Sequence, residues 1–178
     1  MSILKWLARV MLWTSVLLFL LSIIFRINDV YINTSNSLPR GLYQAINAPI
    51  SKNAYVFFCP PEQPVFDMAR ERHYINSGAC PGGYGLLLKR VFAMSGDTVA
   101  IGRSGVYING QWLPNSAQRA FDPKNKALPH YELPPRELTD SELLLMSDVN
   151  SQSFDARYFG LINRKQIKSV VRPLIIWN

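Results

Sequence analysis

The amino-acid sequence predicts a mainly β domain, a barrel or coiled sheet, carried behind one N-terminal transmembrane α-helix. Three observations predict it. Sixteen residues near the start, Val10 to Phe25, run without a charge. After them come short runs rich in β-branched and aromatic residues, separated by Gly, Pro and Asn, with few helical periods. One of these, "YINGQWL" (Tyr107 to Leu113), reads as a tight hairpin, with Asn109-Gly110 the pair that a type I′ turn prefers.

The uncharged run VMLWTSVLLFLLSIIF lies between Arg9 and Arg26, and Trp6 to Ala8 extend it if Arg9 snorkels. At ~1.5 Å per residue, roughly twenty residues reach the ~30 Å needed to cross a bilayer. Ile24 to Tyr31 offers no small-x-small cleavage site, so residues 1–28 read as an uncleaved anchor rather than a secretory signal. Lys5 and Arg9 precede the span, whereas Arg26 follows it and is partly offset by Asp29. That imbalance favours a cytoplasmic N-terminus, which places residues 29–178 outside a bacterial inner membrane, in the periplasm.

In that exported part the candidate strands are Gly41 to Ile46, Ala54 to Cys59, Tyr84 to Ala93, Thr98 to Ile101, Gly105 to Ile108, Leu143 to Met146 and Ser169 to Trp177. Residues 114–142 hold five prolines and break the strand periodicity, which predicts an extended excursion over the β-core rather than a second domain. Cys59 and Cys80, the only cysteines, lack CxxC spacing and make a poor metal site. A disulfide between them suits an exported domain; two free buried thiols are the alternative. The net charge of +7 is scattered and does not alternate with aromatics, so attraction to anionic lipid or a membrane-bound partner explains it better than nucleic acid does. His73 and His130 stand alone and read as structural or surface residues. No cofactor and no metal is expected.

The chemistry begins in "GLLLKRVFAMSGD", Gly85 to Asp97. On a strand, Leu87, Lys89, Val91 and Ala93 share one face and Leu88, Arg90 and Phe92 the other. Lys89 then points among aliphatic neighbours, where desolvation disfavours the ammonium and lowers its pKa toward neutrality. A neutral lysine amine can accept a proton from a hydroxyl. The rival reading is a lysine snorkelling from a strand edge.

Three segments in order supply partners. Residues 35 to 43, SNSLPRGLY, resemble the nucleophile box of the signal peptidase I superfamily; KRVFAMSGD (Lys89 to Asp97) resembles its general-base box and SDVNSQSFDARYFG (Ser147 to Gly160) its third box. With the anchor and the proline-rich segment, the chain looks most like the conjugative-transfer signal peptidases, the TraF type. The resemblance implies a signal-peptidase-like β-barrel or coiled β-sheet domain and a Ser-Lys dyad, with Ser37 the nucleophile and Lys89 its general base. It further implies that the Ser35 hydroxyl joins an oxyanion hole and that Ser153 orients the lysine. Asp155 and Arg157 would hold that wall, with Asp148 and Gly160 framing the turn. Each segment also has a plainer reading: turn formers at Ser35 and Asn36, a capped loop hydroxyl at Ser153, a surface ion pair at Asp155 and Arg157. Ser95 and Ala156 depart from the residues usual at their positions, which affects local hydrogen bonding rather than the nucleophile or base.

The expected mechanism adds an extended peptide as a strand beside Leu86 to Lys89, with Leu86 and Leu88 binding substrate. The resemblance implies a pilin precursor as substrate, inner-membrane lipid and the conjugative transfer machinery as partners, and an acyl-enzyme resolved by water or by an amine that circularises the pilin. A general secretory signal peptidase and a non-catalytic membrane-anchored transfer assembly factor are the competing readings.

Overall fold

The computed structural model describes residues 2–147 and 149–177. Helix α1 (Ser2–Ile27) runs unbroken, and its segment Ile3–Ile27 is long and apolar enough to cross a membrane. The chain then enters strand β1 (Val30–Asn33), which pairs antiparallel with β2 (Arg40–Ile46), Asn33 lying opposite Gly41. Residues 34–39 therefore form the connection of this hairpin. Beyond it come β3 (Tyr55–Phe58), helix α2 (Pro64–Glu71), β4 (Leu87–Ala93), β5 (Thr98–Gly102), β6 (Gly105–Ile108) and β7 (Gln111–Trp112). The remaining elements are β8 (Leu133–Glu137), β9 (Glu142–Met146), a single-turn helix α3 (Ala156–Phe159), β10 (Ile162–Asn163) and the long β11 (Ile167–Trp177).

Two antiparallel sheets result among the described residues. The larger, ordered β1-β2-β11-β3-β4-β9-β10, curls as a half-barrel; the smaller has the order β7-β6-β5-β8. The mainly β class read from the sequence is the class observed. The large core under the curled sheet includes Val56, Phe58, Phe66, Val91, Leu144 and Phe159, each contributing on the order of 1.5–3 kcal/mol by burial. A smaller cluster of Leu38, Tyr43, Phe57, Leu88 and Val171 packs beside the β1–β2 hairpin. Gly41 is required where β11 crosses β2, because a Cβ there would lie 2.1 Å from the Ile175 carbonyl oxygen.

The hairpin at Asn109-Gly110 has positive φ at both residues, 52° and 79°, as a type I′ turn demands. The lysine strand begins three residues later than its expected start at Tyr84, and the turn after it holds Gly96 at φ 87°. The proline-rich 114–142 segment differs most from expectation, since it contains β8. Pro134 and Pro135 fall where the β5–β8 register shifts, between the Val99–Arg136 and Ile101–Leu133 pairs, and β8 is the edge of its sheet, bonded to β5 on one side; both features suit prolines. Helix α2, with Pro64 at its first position and Phe66 and Ala69 buried, occupies the stretch between the cysteines. Cys59 and Cys80 are disulfide-bonded with Cα atoms 5.5 Å apart and a sequence separation of 21. Closing a loop of that size contributes roughly 3 kcal/mol in the chain-entropy model.

Candidate active site

Lys89 sits in the middle of β4, opposite Val56 of β3, with only 2% of its surface exposed. Strand alternation turns it to the same side as Leu87, Val91 and Ala93, and burial on that side strips its hydration. Desolvation pushes its pKa down from 10.5 to about 8; Asp155 opposes the fall and Arg157 adds to it. An amine with that pKa is neutral in a useful fraction of molecules near physiological pH.

Its head group reaches the loop after β9. Lys89 Nζ donates to Ser153 Oγ at 2.8 Å, and Ser153 Oγ donates in turn to Ser37 Oγ at 3.1 Å. Three residues from three separate segments thus form one line of hydrogen bonds, with the Ser153 hydroxyl between the amine and Ser37. A second tie joins the same two loops, from Asn150 Nδ2 to the Asn36 carbonyl at 3.2 Å.

The loop bearing Ser153 is held from behind by a buried ion pair. Arg157 Nε donates to Asp155 Oδ1 at 2.7 Å and Arg157 Nη2 to Asp155 Oδ2 at 2.8 Å, with neither side chain exposed. The remaining guanidinium hydrogens go to the carbonyls of Ser153 (2.9 Å), Ser151 (2.8 Å) and Asn115 (3.1 Å), and Asp155 Oδ2 accepts from Ser147 N. This is a buried bidentate pair and not the surface pair offered as its plainer reading, so Arg157 fixes the backbone from which the Ser153 hydroxyl projects. Gly160 closes α3 at φ 79°; Asp148 lies outside the described residues.

Ser35 stands beside Ser37 on the same cleft wall, but its hydroxyl donates to Asn33 Oδ1 at 2.8 Å, which also accepts from Ser35 N at 3.1 Å. Asn33 was not singled out from the sequence. Only 7% exposed at the end of β1, it uses Nδ2 to bond the carbonyls of Pro39 (3.0 Å) and Leu38 (3.2 Å), so one amide clamps both ends of the loop that carries Ser37. An asparagine two residues before the box, closing a short connection, was the available signal. Leu86 is 41% exposed on the cleft rim, whereas Leu88 is 6% exposed and packs into the smaller apolar cluster. Strand β9 reaches β4 only at Arg90 and beyond, so the edge of Leu87 to Lys89 facing away from β3 carries no strand among the described pairings. His73 lines this cleft and His130 bonds Gln118 at the surface. Among the described residues no cluster of His, Cys, Asp or Glu is placed to hold a metal.

The family model for signal peptidase, peptidase S26, matches residues 3–177. The chain belongs to the peptidase S26 signal peptidase family. Within the region it shares with curated relatives, it is 53% identical over 146 residues to a plasmid transfer protein TraF of Escherichia coli, covering 82% of each chain. It is 32% identical to a conjugal transfer protein TraF of Agrobacterium tumefaciens, covering 83% of this chain and 82% of that one. Among solved structures, a signal peptidase I from Enterococcus faecalis aligns over 72% of this chain and 100% of its own at 17% identity, a loose likeness with a TM-score of 0.37. As a member of the S26 family the protein is a peptidase of the signal peptidase kind, with TraF conjugal transfer proteins among its relatives.

Proposed function

We propose that this S26 peptidase is a membrane-anchored serine endopeptidase with a Ser37-Lys89 dyad, and that it processes a conjugative pilin precursor through an acyl-enzyme. The observation that carries the reading is the hydrogen-bonded line from buried Lys89 Nζ through Ser153 Oγ to the half-buried Ser37 Oγ. With the amine protonated, every donor in that line points toward the nucleophile. When Lys89 loses its proton, both hydroxyls turn and the line reverses, so that Ser37 hands its proton toward the lysine as its oxygen attacks the scissile carbonyl. Collapse of the tetrahedral intermediate expels the leaving amine, protonated from the lysine side, and leaves an ester on Ser37. Water then gives a trimmed linear product, whereas a peptide amine gives a new amide bond and a circular one.

Oxyanion stabilisation falls to the Ser37 backbone N–H and the Ser35 hydroxyl, which must swing from Asn33 to donate; Asn33 keeps its bond to Ser35 N meanwhile. The acyl portion of the substrate adds as a strand to the open edge at Leu86 to Lys89, with Leu86 offering side-chain contact and Leu88 backbone. Lys5 and Arg9 in the first turns of α1, and the disulfide in the domain after it, support a periplasmic domain facing a substrate already in the inner membrane. Tethering both to one bilayer raises their effective concentration without added affinity. The TraF names of its relatives favour the transfer machinery over general secretion.

Mass analysis of pilin from cells carrying Ser37→Ala or Lys89→Ala, beside wild type, tests this. Untrimmed precursor in both variants is expected, and a wild-type product one water lighter than the trimmed linear peptide indicates aminolysis. Normal pilin from Ser37→Ala selects a non-catalytic assembly role; uncleaved general preproteins in the variants select secretory processing.

A further inference from the structure

Ser35 and Ser37 stand on the shared wall of two clefts. One runs along the open edge of β4, lined by Leu86 to Lys89. The other, with a volume of about 280 Å³, extends away from the strand between the third box and the proline-rich segment. Its wall includes Arg119, Asp122, Gln152 and Tyr158. Arg119 is fixed there by its backbone, whose N–H donates to Tyr158 Oη at 3.2 Å. The residue is half-buried, and its guanidinium has no hydrogen-bond or ion-pair partner among the described residues.

The neighbouring carboxylate does not serve it. Asp122 is buried and its oxygens are already engaged: Tyr74 Oη donates to Oδ2, and the backbone N–H groups of Lys124 and Lys126 each donate to Oδ1 at 2.8 Å. Elsewhere the arginines of the site are satisfied, Arg157 by Asp155 and Arg40 by Asn36 Oδ1. A guanidinium on a half-buried residue lining the same cleft as Ser37, with its donors unspent, is suited to receive a carboxylate: its fork matches two carboxylate oxygens.

We propose that Arg119 is the recognition group of a leaving-side subsite that binds a substrate carboxylate. This rests on the reading of Ser37 as nucleophile, for then the acyl portion occupies the β4 edge and the segment beyond the scissile bond extends into the second cleft. The carboxylate is an acidic side chain of that segment, or its C-terminal carboxylate where the segment is short. Either source offers the same two oxygens, and in both cases the subsite selects which bond is presented to Ser37.

The test uses the full-length protein in detergent and three synthetic peptides spanning the cut that pilin mass analysis locates. One has the natural leaving segment with a free carboxyl terminus, one has that terminus amidated, and one has acidic side chains of the segment replaced by amides. Wild type is expected to show KM raised about tenfold or more by one of the two changes, and that change names the source. Arg119→Gln is expected to treat all three peptides alike, with KM near the raised value and kcat within a few-fold of wild type. Wild type that does not discriminate among the peptides, or Arg119→Gln that keeps the wild-type discrimination, overturns the subsite. Ser37→Ala run in parallel separates the two ideas. If it still cleaves, the nucleophile reading fails and the subsite with it; if it is inert while Arg119→Gln behaves as wild type, only the subsite fails.

Discussion

Lys89→Met should make the protein more stable while destroying its activity. The side chain is 2% exposed, and burial lowers its pKa from 10.5 to about 8. Below pH 8 both folded and unfolded chains carry the proton, so the folded state bears the whole cost of a buried ammonium. At about 1.4 kcal/mol per pH unit, that cost is about 3 kcal/mol at pH 7. Between pH 8 and 10.5 the unfolded chain holds the proton and the folded one does not, so wild-type stability rises with pH and the cost falls to roughly half by pH 9.5. Methionine matches the aliphatic stem and carries no charge, and losing the bond to Ser153 subtracts about 1 kcal/mol from the gain. Thermal melting of the two proteins in the same detergent should therefore place Lys89→Met roughly 4–8 °C above wild type at pH 7, with the gap narrowing at pH 9.5. A variant that melts at or below wild type at pH 7, or a gap that does not change with pH, would refute the desolvated-lysine argument.

Three further outcomes are expected. The kcat/KM of the wild-type enzyme should climb with pH and level off above a midpoint at about 8, because the proposed dyad uses the neutral form of Lys89; a flat profile from pH 6 to 9 counts against this base. Arg157→Met leaves Asp155 buried without its partner and removes the bonds to three loop carbonyls, and should lower unfolding free energy by about 3–5 kcal/mol in urea titrations, far more than a surface pair would. Asn33→Ala frees both ends of the Ser37 loop and should reduce kcat by roughly 10²-fold, with KM changed much less; equal loss in both would assign Asn33 to substrate binding instead.

What could be read from the sequence follows from which signals are local. The anchor, the Asn109-Gly110 hairpin and the strands around Lys89 are specified by short-range patterns, and each appears within a few residues of its expected bounds. Strand β8 is hidden because Pro134 and Pro135 read as breakers, and its edge position together with a register shift at those residues makes them tolerable. Helix α2 is masked by Pro60, Pro61 and Pro64 at its start, although Phe66 and Ala69 sit three apart on one face. Within the site, strand alternation indicates a buried Lys89 and the resemblance to the three family boxes implies Ser37 and Ser153, but neither shows that Ser153 stands between the other two. Asn33 and Arg119 are not legible in the sequence for a common reason: the clamp that Asn33 makes and the subsite proposed for Arg119 depend on what lies opposite in space, the hairpin connection for one and the second cleft for the other.

The central claim is that the Ser37 oxygen becomes covalently acylated with Lys89 as its base. Its most direct measurement is intact-mass analysis after rapid acid quenching of the purified full-length enzyme mixed with pilin precursor, followed by peptide mapping. The account predicts an added mass equal to the acyl portion of the precursor, located on Ser37, absent from Ser37→Ala and not accumulating in Lys89→Ala. Cleavage that proceeds in Ser37→Ala, or an adduct mapped to any other residue, would contradict it.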